Sequence, residues 1–203
     1  MREAIFGLIG VLIGSFIPWL QSYWNDRQAN KKNGRYLAIR VVCVLDKYLE
    51  DCVEVIKDDG LSYGQRDKNG CLSPQVKAPG APVFPDDVDW KSIEHELMYK
   101  ILSLPAEVES ADRLIKATSD IAGPPDFEEW FEERKFHYSQ FGLIAYALSD
   151  ELCNKYSIQK KIYNDWDPVA DLKRELKIVA KGRPKRIDSY SFFVKKILGD
   201  KKF

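Results

Sequence analysis

The sequence predicts an all-α protein: a single N-terminal transmembrane helix followed by a cytoplasmic bundle of about five helices with a long irregular insertion. Three observations lead there. An uncharged apolar run fills residues 4–20. Later segments repeat apolar residues at intervals of three and four, the period of a helix with one buried face. Alternation with period two, the signature of strands, is nearly absent.

The run at 4–20 is short for a bilayer core, which takes about 17–25 apolar residues, but sufficient. Arg2 is offset by Glu3, and the run ends in bulky Phe16, Pro18, Trp19 and Leu20, so neither the basic start nor the cleavage site of a secretion signal is present. Trp19, Tyr23 and Trp24 suit an interfacial aromatic belt. Arg27, Lys31, Lys32, Arg35 and Arg40 follow, and positive charge stays on the inner side. The expectation is a bacterial-type inner-membrane protein with a single span, its N-terminus outside and residues 25–203 cytoplasmic. Within the span, Gly7, Gly10, Gly14 and Ser15 clear one helix face, and Gly10 to Gly14 form a G-x-x-x-G that favours self-association.

The expected organisation is therefore an anchor at 1–24, a basic juxtamembrane linker at 25–34, a bundle domain at 35–180 and a basic amphipathic tail at 181–203. The first bundle helix covers 35–57, and Asn33-Gly34 either separates it from the membrane helix or is crossed at a cost of about 1 kcal/mol. Residues 58–86 are punctuated by Gly and Pro throughout, with a tight turn at Asp67-Lys68-Asn69-Gly70 and a small hairpin around it as one reading. Asp87 or Asp89 starts a second helix running to about residue 102, and Leu104-Pro105 separates it from a third that ends before Gly123-Pro124-Pro125. The fourth covers 126–156 and the fifth 168–180, with Ile158, Ile162, Tyr163 and Trp166 between them capping the core.

Equal numbers of acidic and basic residues hide an uneven distribution, with acids crowding 86–133 and bases crowding the chain after residue 180. The tail holds Lys181, Arg183, Lys185, Arg186, Lys195 and Lys196, and sets Tyr190, Phe193, Val194, Ile197 and Leu198 at helical spacing. Such a helix packs back on the bundle or lies on anionic lipid head groups, towards which Lys31, Lys32 and Arg35 also point. Nucleic acid ranks last, because the bases belong to no nucleic-acid fold and the chain has no net charge.

No catalytic, cofactor-binding or metal-binding residue is assigned. Phosphate-binding glycine loops and the serine-hydrolase elbow are absent from the sequence. Cys43, Cys52, Cys71 and Cys153 have no zinc spacing and read as free thiols in a reducing compartment. Glu133 and His137 stand four apart and read as a surface pair on the fourth helix. The function expected from these features is a non-enzymatic, membrane-tethered scaffold that holds a cytoplasmic protein partner at the inner membrane. The alternative is an oligomerising, membrane-perturbing effector of toxin or defence type.

Overall fold

The computed structural model describes the backbone of residues 2–182 and the side chains of residues 19–181. Among these the chain is all-α, with helices α1 (Arg2–Lys57), α2 (His95–Ile121), α3 (Glu128–Tyr156) and α4 (Pro168–Gly182) and one short 3-10 turn at Trp90–Ser92. No strand forms among the described residues, where an isolated bridge pairs Ser62 with Gln65.

Asn33-Gly34 does not interrupt α1, which runs unbroken for 56 residues, so the expected linker at 25–34 is helix. The glycine serves packing instead. A Cβ at Gly34 would stand 2.7 Å from the backbone oxygen of Ser92 and 3.1 Å from Cε1 of Tyr156, so the bare Cα lets the 3-10 turn lie against the helix. We expect Gly34→Ala to destabilise the bundle by about 1–3 kcal/mol despite the better helix propensity of alanine, because the atom it meets is backbone. A urea midpoint raised above that of the parent would contradict this.

From Trp19 to Asn33 no side chain of α1 is buried, and the first buried residue is Gly34. This stretch is therefore a stalk about 22 Å long standing out from the bundle. Beyond it, Leu37, Val41, Leu45, Leu49 and Cys52 are fully covered. Among the described residues no helix is long and apolar enough to cross a membrane. The transmembrane helix expected over 1–24 is thus not supported: the described side chains of α1 begin at Trp19, where the apolar run gives way to polar residues, and Gly7, Gly10, Gly14 and Ser15 lie outside them.

Leu104-Pro105 does not divide two helices either. Pro105 sits inside α2. Leu97, Ile101, Leu104, Val108, Ala111 and Ile115 keep one buried stripe across it, and that packing outweighs the missing backbone donor. The predicted cap at Asp89 does form, with its side chain accepting from the Lys91 N–H, but it starts only the 3-10 turn. Among the described residues the expected five α-helices are therefore four.

Helix α3 is the axis of the bundle, packing on α1, α4 and α2. It is buried on nearly every side from Phe131 to Leu148. The connection after it, residues 157–167, is clamped to α1 and α3 by Lys160–Asp150 and Lys161–Glu50 pairs and by the Tyr163 hydroxyl, which donates to Glu50 Oε1 at 3.1 Å. Ile158 and Tyr163 pack against the core as expected, whereas Ile162 is 72% exposed.

Candidate functional site

The insertion at 58–86 forms neither a hairpin nor a free loop. The expected turn is present, with the Gly70 N–H donating to the Asp67 carbonyl at 3.0 Å, but no strands flank it. Instead the segment is a strap laid over α1 and α3. Val76, Ala78, Ala81 and Phe84 pack on the core, and the Trp90 indole donates to the Pro85 carbonyl at 3.0 Å.

One carboxylate organises the start of this strap. Asp58 accepts from the N–H groups of Gly60, Gln75 and Val76, each at 3.0 Å. Arg134 of α3 reaches the same carboxylate at 3.3 Å and donates to the Val76 carbonyl at 2.8 Å. Both side chains are almost wholly buried, 1% and 4% exposed. The guanidinium also lies 5.7 Å from the ring centre of Trp130 and 5.9 Å from that of Phe131. Burial by itself would raise the Asp58 carboxyl, yet the three backbone donors and Arg134 hold it below the usual carboxylate range. Gly60 has φ 76°, and a Cβ there would meet Phe131 Cζ at 2.6 Å, so the strap can turn here only on glycine.

On the outer side of this wall lies a groove of about 540 Å³ between the strap, the first turns of α3 and the last turns of α4. Its floor is apolar, made of Leu72, Phe131, Ile178 and Val179. Its rim is acidic: Asp59, Asp126, Glu128, Glu132 and Glu175 surround it, against Arg66 and Lys135. Arg66 pairs with Asp126 at 2.6 Å and Lys135 with Glu175 at 3.2 Å. The antiparallel packing of α4 on α3 assembles this rim, bringing the C-terminal end of α4 to the acid-rich N-terminal end of α3.

A second polar cluster lies largely inside, with Asp112 half-buried at its edge. The Tyr138 hydroxyl donates to Asp112 Oδ1 at 2.6 Å and stands 3.2 Å from the Pro79 carbonyl, so it ties α2, α3 and the strap together. Burial raises the Asp112 carboxyl and the Tyr138 and Tyr48 hydroxyls above their ordinary values. It does the same to the wholly buried thiol of Cys52. Glu133 and His137 are also inside, with Oε1 and Nε2 3.2 Å apart and the imidazole fully covered between Phe136 and Phe141. The surface pair expected at these positions is therefore a buried one. The sequence does carry a sign of this: residues 136–149 contain no Asp, Glu, Lys or Arg, and a helix uncharged all round is a buried helix.

Among the described residues, no group of three or more His, Cys, Asp and Glu side chains is placed to hold a metal ion. All four cysteines are free, and Cys43 is exposed rather than packed as its apolar surroundings in the sequence imply. Trp19, Tyr23 and Trp24 are 61%, 53% and 65% exposed, with the Trp19 and Tyr23 rings stacked at 6.2 Å along the stalk. Lys31, Lys32, Arg35 and Lys181 are exposed, while Arg183, Lys185, Arg186, Lys195 and Lys196 lie outside the described residues. The structure thus places Trp19, Tyr23, Trp24, Lys31, Lys32 and Arg35 along α1, apart from the groove, and Lys181 at the end of α4. The chain matches no protein-family model, no curated protein and no solved structure.

Proposed function

We propose that the chain is a membrane-tethered scaffold without catalytic chemistry of its own, holding a protein partner at the inner face of a bilayer. The apolar segment 4–20 enters the membrane, and Trp19, Tyr23 and Trp24 sit at the head-group level. Lys31, Lys32 and Arg35 face anionic lipid. Self-association runs through Gly7, Gly10, Gly14 and Ser15.

The observation that carries this reading is the stalk. A helix that leaves its bundle and exposes three large aromatic residues in succession is costly in water. At a membrane interface the same rings are favourably placed. The polar stretch from Asn25 to Asn33 then sets the bundle at a distance from the lipid.

The test is fractionation of cells producing the full chain or a variant lacking residues 2–20. The full chain should remain in the membrane pellet through alkaline carbonate, and the truncated one should move to the supernatant while retaining its helical circular dichroism. Full-length protein released by carbonate would end the proposal.

A further inference from the structure

We propose that the acidic groove is the docking site of the chain's own basic tail, residues 183–203. This does not rest on the membrane reading, and the two can fail separately. Three features on different parts of the molecule converge on it.

The first is position. Helix α4 ends at Gly182, and its last turns, carrying Glu175, Ile178 and Val179, already form one wall of the groove. The described helix therefore stops within one turn of that wall. Gly182 closes the described helix, and a proline two residues on, at position 184 of the sequence, disfavours further helix, which suits a chain that turns back.

The second is charge. Five carboxylates against two cations give the rim an excess of negative charge, at a place where α3 begins and α4 ends. Arg183, Lys185 and Arg186 follow Gly182 at once, and Lys195, Lys196, Lys201 and Lys202 come later, opposed by Asp188 and Asp200 alone. Glu175 of the acidic rim lies eight residues before Arg183, so the two patches of opposite sign belong to one chain and meet at a high effective concentration.

The third is the apolar match. The floor of Leu72, Phe131, Ile178 and Val179 needs an apolar partner, and Ile178 is 58% exposed. In the tail, Tyr190, Phe193, Val194, Ile197 and Leu198 fall on one side of a helical repeat with lysines beside them. Seven residues separate Gly182 from Tyr190, and that length of extended chain reaches about 23 Å, enough to fold over the rim. A tail seated in this way withholds its lysines from any anionic surface.

The test is zero-length carbodiimide cross-linking of the purified full chain, as an equal mixture of unlabelled and nitrogen-15-labelled copies, with hydrogen exchange on the same samples. The expected result is isopeptide links from Lys185, Lys195 or Lys196 to Glu128, Glu132 or Glu175 within single copies. In Arg183→Glu/Lys185→Glu/Arg186→Glu, amide exchange at 60–72 and 127–132 should rise about tenfold. Adding Glu128→Lys/Glu132→Lys to that variant should restore the protection. Links that join labelled to unlabelled copies as often as they join copies of one kind would assign the groove to a second molecule and overturn the proposal. So would unchanged exchange in the tail variant, which leaves the bundle intact and makes that result interpretable. Tail protection that arises only with phosphatidylserine vesicles, and not with phosphatidylcholine vesicles or in buffer, would make lipid the occupant of the tail and likewise overturn it.

Discussion

Arg134→Met should lower the stability of the bundle by about 3–5 kcal/mol, one of the largest losses any single substitution here can cause. The guanidinium is buried, so its removal strands the Asp58 carboxylate in a place from which water is excluded. The variant also loses the donor to the Val76 carbonyl and the cation above the Trp130 and Phe131 rings. Methionine fills much of the volume, which keeps the effect on the charge rather than on a cavity. A chain of this size should show a midpoint lower by about 10 °C or more. Asp58→Asn should be nearly as costly, since it weakens the acceptor of three strap N–H groups. The double variant should lose less than the two singles added together, because each single leaves one buried charge unpaired and the double leaves none.

The same pair sets how stability responds to acid. The folded Asp58 carboxyl is held below its ordinary value, so its contribution is present above about pH 4, the range of an unfolded aspartate. It disappears as pH falls through the folded value. Asp171 acts with the same sign: donation from the Lys57 ammonium and the Trp166 indole hold it at about 2, with Arg174 adding to the effect. Urea midpoints measured between pH 7 and pH 2 should therefore fall steeply below pH 4 in the parent. The fall should be shallower in Arg134→Met, where one of the groups that lower Asp58 is gone. Parallel curves in the two proteins would show that the pair does not govern acid unfolding.

Helical periodicity made the bundle legible in the sequence, and the reasons it misplaced some boundaries are local. Leu104-Pro105 and Asn33-Gly34 look like breaks because proline and glycine are poor helix residues, but their neighbours continue the buried stripe and the packing of Ser92 against Gly34 requires a missing side chain. Residues 168–180 were recognisable because Pro168 opens α4 and Val169, Leu172, Leu176 and Val179 follow at helical spacing. The candidate site was less legible. Asp58 reads as part of a helix-ending Asp58-Asp59-Gly60, and nothing in the sequence says that its carboxylate gathers donors seventeen and eighteen residues away. Nor does Arg134, inside a run of charged residues, announce that it points inward. The acidic rim is built from the strap, α3 and α4 together, and only their packing places Asp59 and Glu175 on one groove.

Gly142→Ala should destabilise the protein by about 1–3 kcal/mol, the opposite of what helix propensity alone predicts. In an exposed helix, the alanine would gain about 1 kcal/mol. Here a Cβ would stand 2.7 and 3.0 Å from the two methyls of Leu172 on α4 and 3.2 Å from Cβ of Cys52 on α1. Leu172 and Cys52 are fully covered, so neither has open space to move into. The outcome is therefore set by α4, which alone can yield by shifting outward. Leu172→Ala by itself should cost about 2–5 kcal/mol through the cavity it opens. Combined with Gly142→Ala, it should cost less than the sum, because the new methyl occupies part of the space that leucine leaves. The strain has a visible consequence at the groove, since Glu175, Ile178 and Val179 are carried by the same helix. Amides of α4 should exchange faster in Gly142→Ala while those of α1 beyond Gly34 keep their protection. A stabilised Gly142→Ala protein, or one whose exchange rises uniformly along the chain, would mean that α4 is not held at this contact, and the wall it gives the groove would need another support.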